Sequence, residues 1–115
     1  MIGFNVLTYS ILMYGSSFGY NGCHQQICLT DGTSKNVAFV RFVDEKTPYP
    51  QDTEVEMVDG TRVITMHVPD VYYDNVIDLL RNENPVSISY KVGKGFLASG
   101  NEKVGEDDND IITAK

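Results

Sequence analysis

The side chains in this sequence that most readily take part in catalysis or metal binding belong to two histidines and two cysteines. His24 directly follows Cys23 and His67 lies in a later segment, residue types that suit a Cys-His nucleophile pair or part of a metal site. Either use needs a third group, and no spacing in the sequence supplies one. A single histidine within a strand is more often a hydrogen-bonded structural residue. The sequence therefore indicates no catalytic motif, no metal site and no cofactor.

The spacing of the two cysteines argues against a disulfide bond between them. Cys23 and Cys28 are five positions apart, and in an unbroken strand an odd separation points two side chains to opposite faces. Two cysteines in 115 residues are also too few for a disulfide scaffold. We predict two free thiols unless a bulge breaks the strand.

A loop rich in glycine, serine and aromatic residues covers positions 15–22. Aromatic side chains supply contact area and small polar ones supply adaptable hydrogen bonds, which is the composition of many binding loops. A wide structural hairpin is the alternative, and a phosphate loop is excluded because no Lys-Ser/Thr pair follows the glycines. The candidate ligand- or partner-binding residues here are Ser16, Ser17, Phe18, Tyr20, Asn21 and the nearby His24.

Two further candidates lie in other segments. Arg41 interrupts the otherwise apolar run 36–43, and a charge in such a strand must reach the rim of the sheet or pair with an acid. Arg41 is therefore a candidate anion-binding residue, and a structural ion pair with one of the many acids is the alternative. Tyr49 lies between two prolines and either meets a partner or belongs to a loop that is merely rigid.

Alternation of apolar and polar residues predicts that strands carry these candidates. The predicted strands cover residues 2–14, 24–30, 36–43, 55–58, 61–68, 86–92 and 96–99. One change of period to about 3.6 predicts a single α-helix at about 70–82, capped by Asp70 and followed by Asn84-Pro85. Short turns at Asp31-Gly32, Asp59-Gly60 and 93–95 predict hairpins. We expect a mainly β (α+β) fold, a small antiparallel barrel or curled sheet of about six to seven strands with the helix packed on it.

Charge narrows the choice of partner. The chain has sixteen acidic and nine basic residues, which give a net charge of −7, and the basic residues are scattered along the sequence. Such a field repels nucleic acid and anionic lipid, so we expect neither nucleic acid nor membrane as partner. Residues 1–100 are expected to form one domain and residues 101–115 an acidic tail that lacks the ligand spacing of a calcium loop.

These observations favour a non-enzymatic binding module that engages a protein or a small ligand as a homo-oligomer. One alternative is a protein that sequesters a small anionic, nucleotide-like molecule in a pocket lined by Phe18, Tyr20, Arg41 or Tyr90. Another is a small enzyme in which His24 or His67 acts with a nearby acid. The N-terminal segment lacks the positive charge of a signal peptide, so the expected location is the cytoplasm.

Overall fold

The structure is a computed structural model that describes residues 2–15, 23–44 and 50–99. Within these ranges the chain forms eight strands and one α-helix, which a 3₁₀ turn (Asp70–Tyr72) precedes. The elements are β1 (Ile2–Val6), β2 (Thr8–Met13), β3 (Cys23–Thr30), β4 (Asn36–Val43), β5 (Thr53–Glu56), β6 (Arg62–Pro69), α1 (Tyr73–Asn82), β7 (Val86–Lys91) and β8 (Lys94–Ser99). The predicted mainly β, α+β fold with a single helix is confirmed. The acidic tail lies outside the described residues.

The strands form two sheets, and neither closes into a barrel in the described part of the chain. A five-stranded sheet has the order β2-β3-β4-β6-β5, and a three-stranded sheet has the order β1-β7-β8. The three predicted hairpins, β3-β4, β5-β6 and β7-β8, are antiparallel as expected.

The expectation of an entirely antiparallel sheet is wrong at one pairing, because β4 and β6 are parallel. Strand β5 runs opposite to β6 at the edge of the sheet, and β6 lies between β5 and β4. Since β5 reverses the chain once and β6 reverses it again, β6 runs in the direction of β4. Turn residues predict each local reversal of the chain, but they do not predict which strand lies next to β4 in the sheet.

The predicted first strand at residues 2–14 is in fact two strands that belong to different sheets. β1 pairs with β7, and β2 pairs with β3. Leu7 separates them and is 72% exposed, and its backbone N–H donates to the Thr30 carbonyl at 2.7 Å. The inward side chains are even-numbered in β1 but odd-numbered at Tyr9 in β2, so the alternation changes phase at this corner.

The hydrophobic core lies between the inner face of the five-stranded sheet, helix α1 and the three-stranded sheet. Its fully buried side chains are Ile27, Leu29, Ala38, Val40, Phe42, Ile64 and Ile88. Helix α1 packs Tyr73, Val76, Ile77 and Leu80 against them, and the rings of Phe42 and Tyr73 meet edge to face with centroids 5.0 Å apart. Burial of this apolar area is the main stabilising contribution to the fold.

The helix lies at its predicted position, but the prediction that Asp70 caps it is wrong. Asp70 begins the 3₁₀ turn, and no side chain makes a capping hydrogen bond to that turn or to α1. The 3₁₀ turn separates Asp70 from the first turn of α1, so its carboxylate does not serve as the cap. Across residues 2–15, 23–44 and 50–99 no helix combines the length and apolar composition needed to cross a membrane.

Candidate functional site

A cavity of about 270 Å³ lies on the face of the five-stranded sheet opposite the core, which we call the outer face. Because Val40 and Phe42 point into the core, the intervening Arg41 of β4 points to the outer face. Arg41 is paired with His67 of β6 in the parallel register, so these two side chains are neighbours on that face. Both line the cavity, together with Thr65 and Thr53 of the adjoining strands.

A β-bulge in β3 completes one wall of this cavity. Cys23 pairs with Val43 and Gln25 pairs with Phe42, so His24 is an extra residue in β3. The extra residue turns Cys23 to the outer face, where it lines the cavity beside Val43. The same shift makes the prediction of opposite faces for the two cysteines wrong.

Neither cysteine has the character of an activated nucleophile. Cys23 and Cys28 are both free, as predicted. Burial raises the pKa of the Cys28 thiol. It also raises the pKa of the Cys23 thiol, outweighing the hydrogen bonds and the Arg41 charge that act in the opposite direction. The Cys23 thiol donates to the Gln25 carbonyl at 3.0 Å. A thiol in this state reacts slowly.

Among the described residues, the guanidinium group of Arg41 is held along one edge. Its Nε donates to Gln26 Oε1 at 2.9 Å, and its Cζ lies 5.9 Å from the centroid of the Phe39 ring. Among the described residues no acid forms an ion pair with it, and none accepts a hydrogen bond from its two terminal amino groups. No buried side-chain nitrogen or oxygen of the described residues lacks a hydrogen-bond partner.

His67 is positioned by Asp52, a residue that the sequence analysis did not single out. Asp52 Oδ1 accepts the backbone N–H of His67 at 2.8 Å and lies 3.2 Å from its ring Nδ1. In the tautomer that carries a proton on Nδ1, the ring donates to this carboxylate and Nε2 carries the lone pair. Both side chains are largely buried, 7% exposed for His67 and 15% for Asp52.

Asp52 also ties the two sheets together. Its second oxygen, Oδ2, accepts the backbone N–H of Gly95 in β8 at 2.8 Å. Gly95 permits this approach because a β carbon there would lie 2.7 Å from Cβ of Met66 in β6. The cavity therefore lies at a point where one carboxylate sets both the histidine ring and the docking of β8. In the sequence, Asp52 directly precedes a short strand, and nothing in that pattern predicts this role.

The remaining sequence candidates fall elsewhere. Tyr90 packs against the core, and His24 does not line the cavity. Ser16, Ser17, Phe18, Tyr20, Asn21 and Tyr49 lie outside the described residues. Tyr14, Cys23 and Pro50, which flank those two segments, all line the cavity. No group of three His, Cys, Asp or Glu side chains in the described ranges is arranged to hold a metal ion.

Comparison of the chain with protein-family models, with curated proteins and with solved structures finds no match. The chemistry of the site therefore rests on its own geometry.

Proposed function

We propose that this protein binds a small organic anion in the outer-face cavity, with the anionic group on the Arg41 guanidinium. The observation that carries this proposal is an arginine that lines a cavity, is anchored by Gln26 and forms no ion pair with an acid of the described residues. The chain as a whole has a net charge of −7, so acids to pair with an arginine are abundant. An arginine that forms no ion pair with any described acid supports a role in recognising an external anion.

The cavity's size and walls narrow the class of ligand. A volume of about 270 Å³ falls below the usual range for drug-sized molecules, so the ligand is small. Cys23, Val43 and Pro50 provide an apolar side, whereas Thr53 and Thr65 provide hydroxyl groups. A monocarboxylate with a short apolar body satisfies both sides, since the planar guanidinium matches a carboxylate in shape.

The test is a titration of benzoate and inorganic phosphate, each followed by calorimetry, against the full chain and two arginine variants. Arg41→Leu removes the proposed anchor, and Arg81→Leu at the exposed end of α1 removes the same charge elsewhere. A charge-assisted hydrogen bond contributes about 1.5–3 kcal/mol, so Arg41→Leu should weaken benzoate binding about 10- to 100-fold. Arg81→Leu should leave it within about twofold, because a distant surface charge acts only through a screened field.

Absence of benzoate binding, or equal loss in both variants, contradicts the proposal. Preferential binding of phosphate over benzoate would support the anion site but contradict the proposal that its ligand is a monocarboxylate.

A second candidate function is supported by the Asp52–His67 pair. A histidine whose Nδ1 lies 3.2 Å from a carboxylate, with Nε2 available to a cavity, has the arrangement of a positioned general base. Such a base would take a proton from a bound water as the water oxygen attacks the carbonyl carbon of an ester or amide of the ligand. The acyl C–O or C–N bond then breaks, and the imidazolium returns the proton to the leaving alcohol or amine. Hydrolysis of p-nitrophenyl acetate that falls to background in His67→Gln favours this candidate, and no hydrolysis above background in the wild type favours binding alone.

A further inference from the structure

The outer edge of β2 has backbone hydrogen-bonding groups that no strand of the described residues pairs with. The backbone N–H of Tyr14 donates to the His24 carbonyl at 3.0 Å, which makes these two residues a hydrogen-bonded pair. Such pairs alternate along an antiparallel ladder, so the even-numbered residues of β2 bond to β3. The odd-numbered residues Tyr9, Ile11 and Met13 direct their N–H and C=O groups away from the sheet. Strand β2 is an edge strand, so these groups meet no other strand of the described chain.

This edge lacks the protection that the opposite edge of the same sheet has. Strand β2 contains no charged residue and no proline, and Ile11, Leu12 and Met13 are 46%, 49% and 65% exposed. At the other edge, β5 carries Glu54 and Glu56, which form ion pairs with Arg62 at 3.3 and 3.2 Å. Charged side chains at an edge discourage pairing with another strand, and an apolar uncharged edge favours it.

We infer that β2 pairs antiparallel with β2 of a second copy of this chain, about a twofold axis at Ile11. Residues with outward backbone groups must lie opposite one another, which restricts the register to odd-numbered positions. Placing the axis at Ile11 uses all three of them, because Ile11 then faces itself and Tyr9 faces Met13 of the partner subunit. Each of these pairs exchanges two backbone hydrogen bonds.

The side chains in that register are also self-complementary. Tyr9 and Ile11 lie on the core side of the sheet, opposite the buried Leu29 and Ile27 of β3. Pairing about Ile11 therefore extends the apolar layer across the axis and covers side chains that are exposed in one copy. A twofold interface requires a surface that matches itself, and this strand meets that condition without bringing any charge into contact. The inference does not rest on the anion site, although Tyr14, which directly follows β2, lines that cavity.

The first measurement is the mass of the wild-type protein by light scattering on a sizing column over a wide range of concentration. A mass of twice 12.8 kDa is expected. Ile11→Lys places two positive charges together at the axis and should weaken dimerisation at least tenfold. Val55→Lys is the matched control, because Val55 lies on the other edge strand and is 48% exposed. This variant should dimerise like the wild type.

A charge swap tests the register. Mixing Ile11→Lys with Ile11→Glu places opposite charges at the axis, so the two variants should form a heterodimer while each alone stays monomeric. Should Ile11→Lys fail to fold by circular dichroism, Met13→Lys at the more exposed position takes its place. A wild-type monomer at every concentration overturns the inference, as does a dimer that the lysine variant leaves intact. Failure of the charge-swapped pair to associate overturns the placement of the axis.

Discussion

Replacement of Asp52 by alanine should destabilise the fold far more than its position in a loop suggests. The substitution removes the acceptor of two backbone N–H groups, those of His67 and Gly95, each at 2.8 Å. A donor left without a partner in a largely buried place costs about 1–3 kcal/mol. Two such donors give an expected loss of about 2–6 kcal/mol, which is a large share of the about 5–15 kcal/mol that holds a domain folded.

Asp52→Asn should lose only part of the stability that Asp52→Ala loses. Asparagine keeps one oxygen acceptor, so one of the two N–H groups stays satisfied while the other faces an NH₂ group. The expected loss is about half of that for alanine. Asp78→Ala on the exposed side of α1 is the control, since its hydrogen bond to Asn82 is exposed and contributes about 0.5 kcal/mol or less.

The assay is urea unfolding followed by far-UV circular dichroism, because the chain contains no tryptophan. Hydrogen exchange gives the local readout: the Gly95 amide should lose protection in Asp52→Ala. Stability within about 0.5 kcal/mol of the wild type, with the Gly95 amide still protected, would refute the reasoning. It would mean that water replaces the carboxylate at no net cost.

Three other outcomes follow from the described contacts. Gly95→Ala should destabilise by about 1–3 kcal/mol in urea unfolding, since the new β carbon overlaps a β6 side chain, and unchanged stability contradicts this close approach. Hydrogen bonds from Thr33 lower the pKa of Asp31, so Asp31 stabilises the fold above its ordinary pKa and loses this effect as pH falls through the lowered value. Asp31→Asn should therefore cost stability at neutral pH and not in strong acid; an equal cost at both pH values is the contrary result. Iodoacetamide should label Cys23 and Cys28 slowly, and benzoate should protect Cys23 alone, so equal protection of both places the ligand elsewhere.

The sequence predicts well those parts of the fold that neighbouring residues determine. Strand β4 has its predicted limits, and the hairpin at Asp31-Gly32 and the helix near residue 73 are where turn residues and periodicity place them. Each depends on contacts within a few residues. The corner at Leu7 coincides with a change in the phase of the alternation, which a single predicted strand over residues 2–14 overlooks. Alternation does not report which sheet each half of that segment joins.

The candidate site was harder to predict because it is assembled from distant segments. Arg41 was identified, since a charge within an apolar strand is visible in the sequence. Its pairing with His67 depends on the parallel contact of β4 and β6, which no turn signal announces. Asp52 gains its role through Gly95, 43 positions away, and only the folded chain brings them together.

The parallel contact of β4 and β6 has a consequence for how the protein acquires its binding competence. Asn36 pairs with Arg62, and 62 minus 36 is a separation of 26 positions, whereas the hairpins close over far shorter stretches. Contacts between distant positions form late, because the entropy lost in closing a long loop precedes any gain from the contact. The cavity spans this contact, so we expect a refolding chain to bind benzoate only after its hairpins have formed. The ligand would then select molecules in which β4 and β6 have paired and, by mass action, stabilise them.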